Sequence, residues 1–236
     1  MAPKRAKKVS KEEVRRDRLV ELYARWSAFY HARRRLVLSL AGAVLGLALA
    51  VAGAIAYLNH QDQQANEALG RVVLWFESGQ YQKALEGDTT QRIPGLAQIA
   101  DRYRWTQTGK LAAYYAASAY YELGQYEKAR QYFARYPNNG TLLAAAARAG
   151  EAAAYENAGQ YRRAASLYLK AASQYKSELL TPDYLFGAAR CLEQAGDLRA
   201  ALRAYERVQK EFPKTPQASE AEQHVARLTA ALASGS

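Results

Sequence analysis

The chain has 236 residues, of which 50% are hydrophobic and 23% charged, a composition that excludes a disordered chain, a collagen and a membrane protein with many spans. Its 33 Lys and Arg against 22 Asp and Glu give a net charge of +11, and its single cysteine, Cys191, excludes an intramolecular disulfide. The length allows one or two domains. The charge needs an explanation, because a basic chain could bind nucleic acid.

The positive charge is concentrated in residues 1–35, which we interpret as a cytoplasmic segment. Twelve Lys or Arg and four acids give this segment a net charge of +8, which leaves +3 for the rest of the chain. Ser10 followed by Glu13 indicates a helix start, and apolar residues recur at helical spacing from Leu19 to Tyr30. We expect an amphipathic juxtamembrane helix that lies on anionic lipid. The alternative is that the membrane helix described next simply extends into the cytoplasm.

Residues 36–58 form an apolar run in which Tyr57 carries the one ionisable side chain. A helix of that length reaches about 35 Å, enough to cross a bilayer core of about 30 Å, so we predict a transmembrane helix. The alternatives are a buried core helix and a signal peptide cleaved near Ala56; the length of the run and of the basic segment before it disfavours both.

Charge asymmetry predicts the orientation of this span. Six Lys or Arg lie in the 20 residues before it, and Arg71 alone lies in the 20 after it. The positive-inside rule then keeps the N-terminus in the cytoplasm. In a bacterial inner membrane the C-terminal part would lie in the periplasm.

Small residues recur along the predicted span, at Gly42, Gly46, Ala50 and Gly53. Such residues would let another helix approach closely, either from a second copy of the chain, as a homodimer, or from another membrane protein. Small residues are also common in spans that have no such partner.

Beyond the span, four glycines each separate two helical patterns. They are 45, 35 and 37 residues apart, which is typical of a helix-turn-helix solenoid, and they are Gly79, Gly124, Gly159 and Gly196. We expect each to adopt a left-handed conformation that ends the first helix of a pair. An alanine that would let the two helices cross closely follows each glycine by five residues, at Ala84, Ala129, Ala164 and Ala201.

This pattern resembles the tetratricopeptide repeat (TPR) family over residues 65–232, after a short linker at 59–64 and before a tail at 233–236. The resemblance implies an all-α fold in which one transmembrane helix is followed by a TPR-like solenoid of about four repeats, each with helices A and B. We expect the amphipathic segment from Thr215 to Leu232 to be the capping helix that solenoids need at their ends.

Two features depart from the TPR pattern. Residues 87–109 form an insert after the first repeat, and it carries Pro94 and the run from Arg102 to Trp105. Pro137 comes early in the second repeat, so its B helix should be short.

In TPR proteins the concave face of the A helices binds peptides, so the resemblance implies a groove. By register we expect seven residues to line it, which are Phe76, Leu111, Tyr114, Ser118, Tyr121, Phe186 and Arg190. The Lys, Asn and Arg set that would clamp a C-terminal carboxylate is missing, which favours adaptable, apolar recognition. Alternatively, Tyr114 and Phe186 only pack against adjacent repeats.

No catalytic, cofactor-binding or metal-binding pattern is found in the sequence. The three histidines are scattered, and no nucleotide-binding glycine motif or nucleophile motif occurs. Cys191 lies among apolar neighbours, where a buried, inert thiol is expected. We predict a protein that is not an enzyme and that needs no cofactor or metal.

A single span, a basic tail and an outward TPR domain together resemble the ancillary subunit of the bacterial Sec translocon. The local match lies in Ala84–Gly87, Gly95–Ile99 and Gly109–Tyr115. The resemblance implies a scaffold that holds periplasmic chaperones or newly translocated proteins beside the channel, with membrane proteins such as translocon subunits as partners and no nucleic acid. It also implies that the insert bridges the first two repeats.

Two alternatives stay open. The first is a coordinator of envelope assembly or cell division, a class that this chain resembles in its ending from Tyr205 to Pro213. Such coordinators are normally soluble after signal cleavage, so cleavage at Ala56 would favour this alternative. The second is a cytoplasmic recruiter whose basic tail binds the ribosome or anionic lipid.

Overall fold

The computed structural model describes residues 33–234, together with Val20, Glu21, Tyr23, Arg25 and Ser27. The predicted amphipathic helix lies mostly outside the described residues. The chain divides into two compact units, Met1–Tyr57 and Leu58–Ser236.

Helix α1, Arg34–Glu77, contains the whole predicted span. Within the described residues it is the one helix long and apolar enough to cross a membrane, and its apolar stretch is 0% buried. The expected linker at 59–64 lies inside this helix, because its sequence, NHQDQQ, contains no Gly or Pro to end it.

After α1, the described part of the second unit contains nine shorter helices and a small hairpin. In chain order they are α2 (Tyr81–Glu86), β1 (Gly87–Asp88), β2 (Ile93–Pro94), α3 (Leu96–Arg102), α4 (Gln107–Glu122), α5 (Tyr126–Phe133), α6 (Leu142–Asn157), α7 (Tyr161–Gln174), α8 (Thr181–Gln194), α9 (Leu198–Glu211) and α10 (Pro216–Ser234). The C-terminal part of α1 and helix α2 form the first helix pair. The pairs α4–α5, α6–α7 and α8–α9 follow, and α10 ends the series. This arrangement confirms the predicted all-α solenoid of four pairs with a terminal helix.

Glycine turns connect the A and B helices of every pair. The φ angles of Gly79, Gly124, Gly159 and Gly196 are +74°, +71°, +72° and +79°. At the first turn the Gln80 N–H donates to the Trp75 carbonyl at 2.8 Å and the Gly79 N–H to the Phe76 carbonyl at 3.0 Å, which is a Schellman motif. No atom lies within 4 Å of a side chain placed on any of the four glycines. Backbone conformation, not crowding, therefore requires glycine here.

The core consists of two clusters of buried side chains. One joins the first two repeats to Ala147 and Ala154 of α6, and the other joins the last two repeats to α10. Four alanines at the crossings of A and B helices are fully buried, namely Ala84, Ala129, Ala164 and Ala201. Leu228 of α10 is 1% exposed and lies in the second cluster. The last helix therefore covers the apolar face of the final repeat.

The insert at 87–109 is part of the core. Strands β1 and β2 pair antiparallel with Gly87 opposite Pro94, and Leu96 and Ile99 of α3 are 0% exposed. Helix α3 packs against α2 and α4, so it lies between the first two repeats. The second B helix, α5, has 8 residues against 14 in α7 and in α9, as the early Pro137 predicts.

Candidate protein-interaction surface

The residue three positions before each turn glycine lies near the end of an A helix and is only partly exposed. These four residues, which we call the inner row, are Phe76, Tyr121, Glu156 and Glu193. The row changes character along the solenoid, because its first two members are aromatic and its last two are acidic. Partner side chains of different kinds could therefore bind at its two ends.

The aromatic end of the inner row is supported by other rings. The Phe76 ring lies 5.4 Å from Tyr81 and 5.1 Å from Tyr115, edge to face. Tyr114 packs in the same way on Phe133 at 5.7 Å, a geometry that aromatic pairs prefer. Five predicted groove residues are half-buried here, namely Phe76, Leu111, Tyr114, Ser118 and Tyr121. They offer apolar surface that is already fixed in position.

The acidic end is organised around Glu156. Arg190 donates from Nε to Glu156 Oε1 at 2.7 Å and from Nη2 to Oε2 at 2.9 Å, while the Tyr168 hydroxyl donates to Oε2 at 3.1 Å. The Glu156 side chain is 16% exposed and that of Arg190 49%. A bidentate ion pair with such a half-buried carboxylate fixes both side chains and joins α6 to α8.

The same arrangement recurs one repeat later, around Glu193. Arg227 donates to Glu193 Oε1 at 2.7 Å, the Tyr205 hydroxyl lies 3.4 Å from Oε2, and His224 Nδ1 lies 3.3 Å from the same oxygen. In both repeats the arginine comes 34 residues after the acid and the tyrosine 12 residues after it. We call these two sets the Glu–Arg–Tyr ladder.

Burial and the neighbouring carboxylate keep the tyrosine and the arginine that donate to Glu156 protonated. Burial, together with the negative charge of Glu156, raises the pKa of the Tyr168 hydroxyl. The hydrogen bond to Glu156 raises the pKa of the Arg190 guanidinium. Both groups thus remain hydrogen-bond donors throughout the physiological pH range.

A pocket of about 550 Å³ lies where the aromatic end meets the ladder. It is lined by Tyr121, Glu156, Asn157, Tyr161, Tyr168, Arg190 and Gln194. Asn157 Nδ2 donates to the Tyr121 hydroxyl oxygen at 2.9 Å, which joins the second repeat to the third. No residue of the insert lines this pocket, so the insert leaves this part of the face open. The lining offers ring surfaces, amides and one paired carboxylate to a polypeptide.

Phe186 packs against neighbouring helices, which is the alternative that the sequence left open for it, and Arg190 is held in an ion pair. The Phe186 ring is 7% exposed because it packs against Tyr205 at 5.2 Å and against His224 of α10 at 5.6 Å. Arg190 reaches the pocket but is paired with Glu156. That pairing was not predicted, although the equal spacing of Glu156–Arg190 and Glu193–Arg227 is a signal that indicates it.

The remaining candidate residues each lie within a helix, the small residues in α1 and Cys191 in α8. Gly42, Gly46, Ala50 and Gly53 are exposed on α1, and no atom lies within 4 Å of a side chain placed on the three glycines. Their role in helix packing stays a prediction. Cys191 is 0% exposed, and burial raises the pKa of its thiol to about 12, so the thiolate is absent at neutral pH. The described residues contain no group of three or more potential metal ligands.

Comparisons with known proteins agree with this geometry. The tetratricopeptide repeat family model matches residues 111–139 and 183–215. The fold is a TPR-like solenoid. The chain is similar to crystal structures of nearly identical TPR-like repeats from a Podosopora anserina putative kinesin light chain, and one of these is a variant of the other. Each of the two structures matches this chain with a TM-score of 0.56 and a sequence identity of 17%. The match covers 89% of each of those chains, and it covers 73% of this chain in the first case and 74% in the second.

The comparisons limit what can be transferred. No curated protein matches the sequence, and at 17% identity the solved structures show the fold alone. TPR repeats are protein-interaction scaffolds and are typically not catalytic. The inner row is therefore a candidate site for a protein partner.

Proposed function

We propose that this protein is a noncatalytic, membrane-anchored scaffold of the bacterial cell envelope. In this proposal residues 36–58 span the inner membrane, the basic segment stays in the cytoplasm and the TPR-like unit lies in the periplasm. The observation that carries the proposal is the inner row, which leads from half-buried rings into the Glu156 pocket. Among the described residues, one helix is also long and apolar enough to cross a membrane.

The arrangement suits the capture of a polypeptide. Fixed rings such as Phe76 and Tyr114 bury apolar side chains of a partner at little cost in side-chain entropy. The exposed amides of Asn157 and Gln194 supply hydrogen bonds at the pocket. Because Arg190 is already paired with Glu156, the surface selects for apolar and neutral polar groups more than for a terminal carboxylate.

The partners in this proposal are the Sec translocon, periplasmic chaperones and newly translocated polypeptides. Chains leaving a translocation channel expose apolar side chains before they fold, and an adaptable aromatic surface matches that chemistry. The anchor would keep the surface beside the channel, where a tethered site gains effective concentration over a free one.

Site-specific crosslinking in intact membranes tests the proposal. A photoreactive residue replaces Gln194, which is exposed at the pocket, and the captured proteins are identified by mass spectrometry. The proposal expects translocon subunits, periplasmic folding factors or nascent secreted chains. Capture of cytoplasmic or ribosomal proteins instead would overturn it.

Topology is tested separately, by adding protease to cells whose outer membrane has been permeabilised. The TPR-like unit should be digested while an epitope on residues 1–35 is protected. The opposite pattern would contradict the proposed orientation.

A further inference from the structure

The loop between α3 and α4 exposes an aromatic and basic segment. The Trp105 side chain is 70% exposed, and the guanidinium of Arg104 stacks over its ring at 4.8 Å. Arg102 lies over Tyr103 at 5.4 Å. Among the described residues, no carboxylate pairs with either arginine. An exposed tryptophan next to unpaired arginines has no role in the core or on the inner row.

This loop is held rigidly. The Thr106 hydroxyl donates to the Tyr103 carbonyl at 3.0 Å and accepts from the Gly109 N–H at 3.0 Å. A side chain on Gly109 would lie 1.9 Å from the Tyr103 carbonyl oxygen, so glycine allows the loop to pack closely against the start of α4. The segment from Arg102 to Trp105 is therefore presented on a fixed support.

The support lies close to the end of the apolar run. The Thr108 N–H, at the start of α4, donates to Asp62 Oδ1 at 2.8 Å. Asp62 comes four residues after Leu58, the last residue of the run, which is about 6 Å along a helix. The loop that carries Trp105 is thus tied to the helix turn next to the point where the chain would leave the bilayer.

We infer that residues 102–105 bind the membrane surface on the side where the TPR-like unit lies. The indole of Trp105 inserts at headgroup depth, and Arg102 and Arg104 bind lipid phosphates. This inference rests on the proposed transmembrane span. Tryptophan favours the interface because its ring is apolar and its N–H is polar, and the planar guanidinium matches a phosphate bidentately.

The positive charges of Arg102 and Arg104 favour a lipid surface over a protein partner. Both arginines lack an acidic partner within the part of the chain that the structure describes, and a phosphodiester surface neutralises both without the loss of a neighbouring ion pair. A bilayer also needs no complementary shape, which suits a short segment of four residues.

Depth-dependent fluorescence quenching tests this inference. The full chain is reconstituted in nanodiscs that contain phosphatidylglycerol, with brominated lipid as quencher. Trp26→Phe and Trp75→Phe leave Trp105 as the single tryptophan, which is excited selectively at about 295 nm or above, beyond the absorption of the 18 tyrosines. The matched control carries Trp26→Phe and Trp105→Phe and retains Trp75, which lies seventeen residues after Leu58, about 25 Å along a helix.

The inference expects Trp105 to be quenched at least about twofold more strongly than Trp75, as befits a residue at the interface. Arg102→Gln with Arg104→Gln should lower this quenching in anionic nanodiscs; both side chains are exposed, so folding should not change. Equal quenching of Trp105 and Trp75 in a chain that resists carbonate extraction would overturn the interface contact alone. Release of the chain by carbonate would overturn both the proposed membrane span and the inference that rests on it. Loss of crosslinks from Gln194 would contradict the proposed scaffold function and not the membrane contact of Trp105.

Discussion

Two glycines inside A helices determine how closely successive helix pairs approach. Gly150 and Gly187 each lie nine residues before a turn glycine and face a ring from the preceding B helix. A side chain on Gly150 would lie 2.4 Å from Cζ of Phe133, and one on Gly187 would lie 3.2 Å from the ring of Tyr168. The rings thus fill the space that a side chain would need.

Alanine substitutions should separate crowding from helix propensity. Gly150→Ala should destabilise the protein, because overpacking against the buried Phe133 costs about 1–3 kcal/mol and outweighs the gain of about 1 kcal/mol from replacing a helical glycine. Gly187→Ala should fall close to wild type. Thermal unfolding of the full-length variants in detergent micelles gives their melting temperatures and so the order of their stabilities.

Gly70→Ala is the matched control, because this helical glycine has no atom within 4 Å of the added side chain. It should raise the melting temperature. A Gly150→Ala variant that melts as high as the Gly70→Ala variant would contradict the proposed packing of Phe133.

The turn glycines were predictable and the packing glycines were not. A turn glycine follows from local sequence, since it ends one helical pattern and starts another, and the structure has a positive φ at Gly79. Gly150 lies in a run of alanines, where the sequence does not indicate which ring packs against it. Contacts across repeats, like that of Phe186 with His224, depend on three-dimensional register and have no local pattern.

Between elements, hydrogen bonds to Asp62 join the first A helix to the start of the second. Asp62 of α1 accepts from the Thr108 N–H at the start of α4, where the positive end of the helix dipole favours a carboxylate. Burial opposes the charged form of Asp62, but hydrogen bonds from Thr108 and its neighbours outweigh this effect and lower its pKa. The carboxylate therefore stabilises the folded state only while it is ionised.

Asp62→Asn should lower stability at pH 7 by about 0.5–1 kcal/mol, as expected for one charge-assisted bond near solvent. A folded pKa below the unfolded one means that this stability is present above the unfolded pKa of about 4 and is lost as the pH falls through the folded pKa. The difference between variant and wild type should thus shrink toward pH 3.

Melting temperatures of both proteins at pH 7 and pH 3 measure this effect. Glu67→Gln is the control, because Glu67 is an exposed acid of α1 without a hydrogen bond or ion pair to another described residue. If Asp62→Asn lowers the melting temperature equally at both pH values, the negative charge of Asp62 does not stabilise the folded state.

The Glu–Arg–Tyr ladder joins one repeat to the next. A double-mutant cycle of Glu156→Ala and Arg190→Ala should give a coupling energy of about 1–2 kcal/mol, because the carboxylate is mostly buried and the pair is bidentate. The exposed pair Arg207–Glu211, at 2.9 Å within α9, should couple by less than about 0.5 kcal/mol. Equal coupling in the two cycles would show that burial adds nothing to the first pair.

The strands and the short helix of the insert could not be predicted from the periodicity of apolar residues. Strands β1 and β2 have two residues each, too short to produce an alternating pattern. Helix α3 has 7 residues, and its burial of Leu96 depends on neighbours far along the chain. The four repeats, by contrast, follow from apolar spacing and turn chemistry that recur along the sequence.

Over the whole molecule, the charge of +11 separates into two parts with different meanings. The basic segment carries +8 and predicts orientation in a membrane. The TPR-like unit is close to neutral for its size, so its surface chemistry is set by rings, amides and paired charges. The inner row changes from aromatic to acidic along the solenoid, so a polypeptide bound there, as proposed, would meet different chemistry at its two ends.

The most direct test asks whether proteins bind at the aromatic end of the A-helix face, where Ser118 lies about one helical turn before Tyr121 of the inner row. A photoreactive residue is placed at Ser118 on the aromatic end of the A-helix face or at Glu206, an exposed position on α9, and cells are irradiated intact. We predict crosslinked protein adducts from Ser118 and few or none from Glu206. Equal crosslinking from the two positions, or adducts from Glu206 alone, would contradict it.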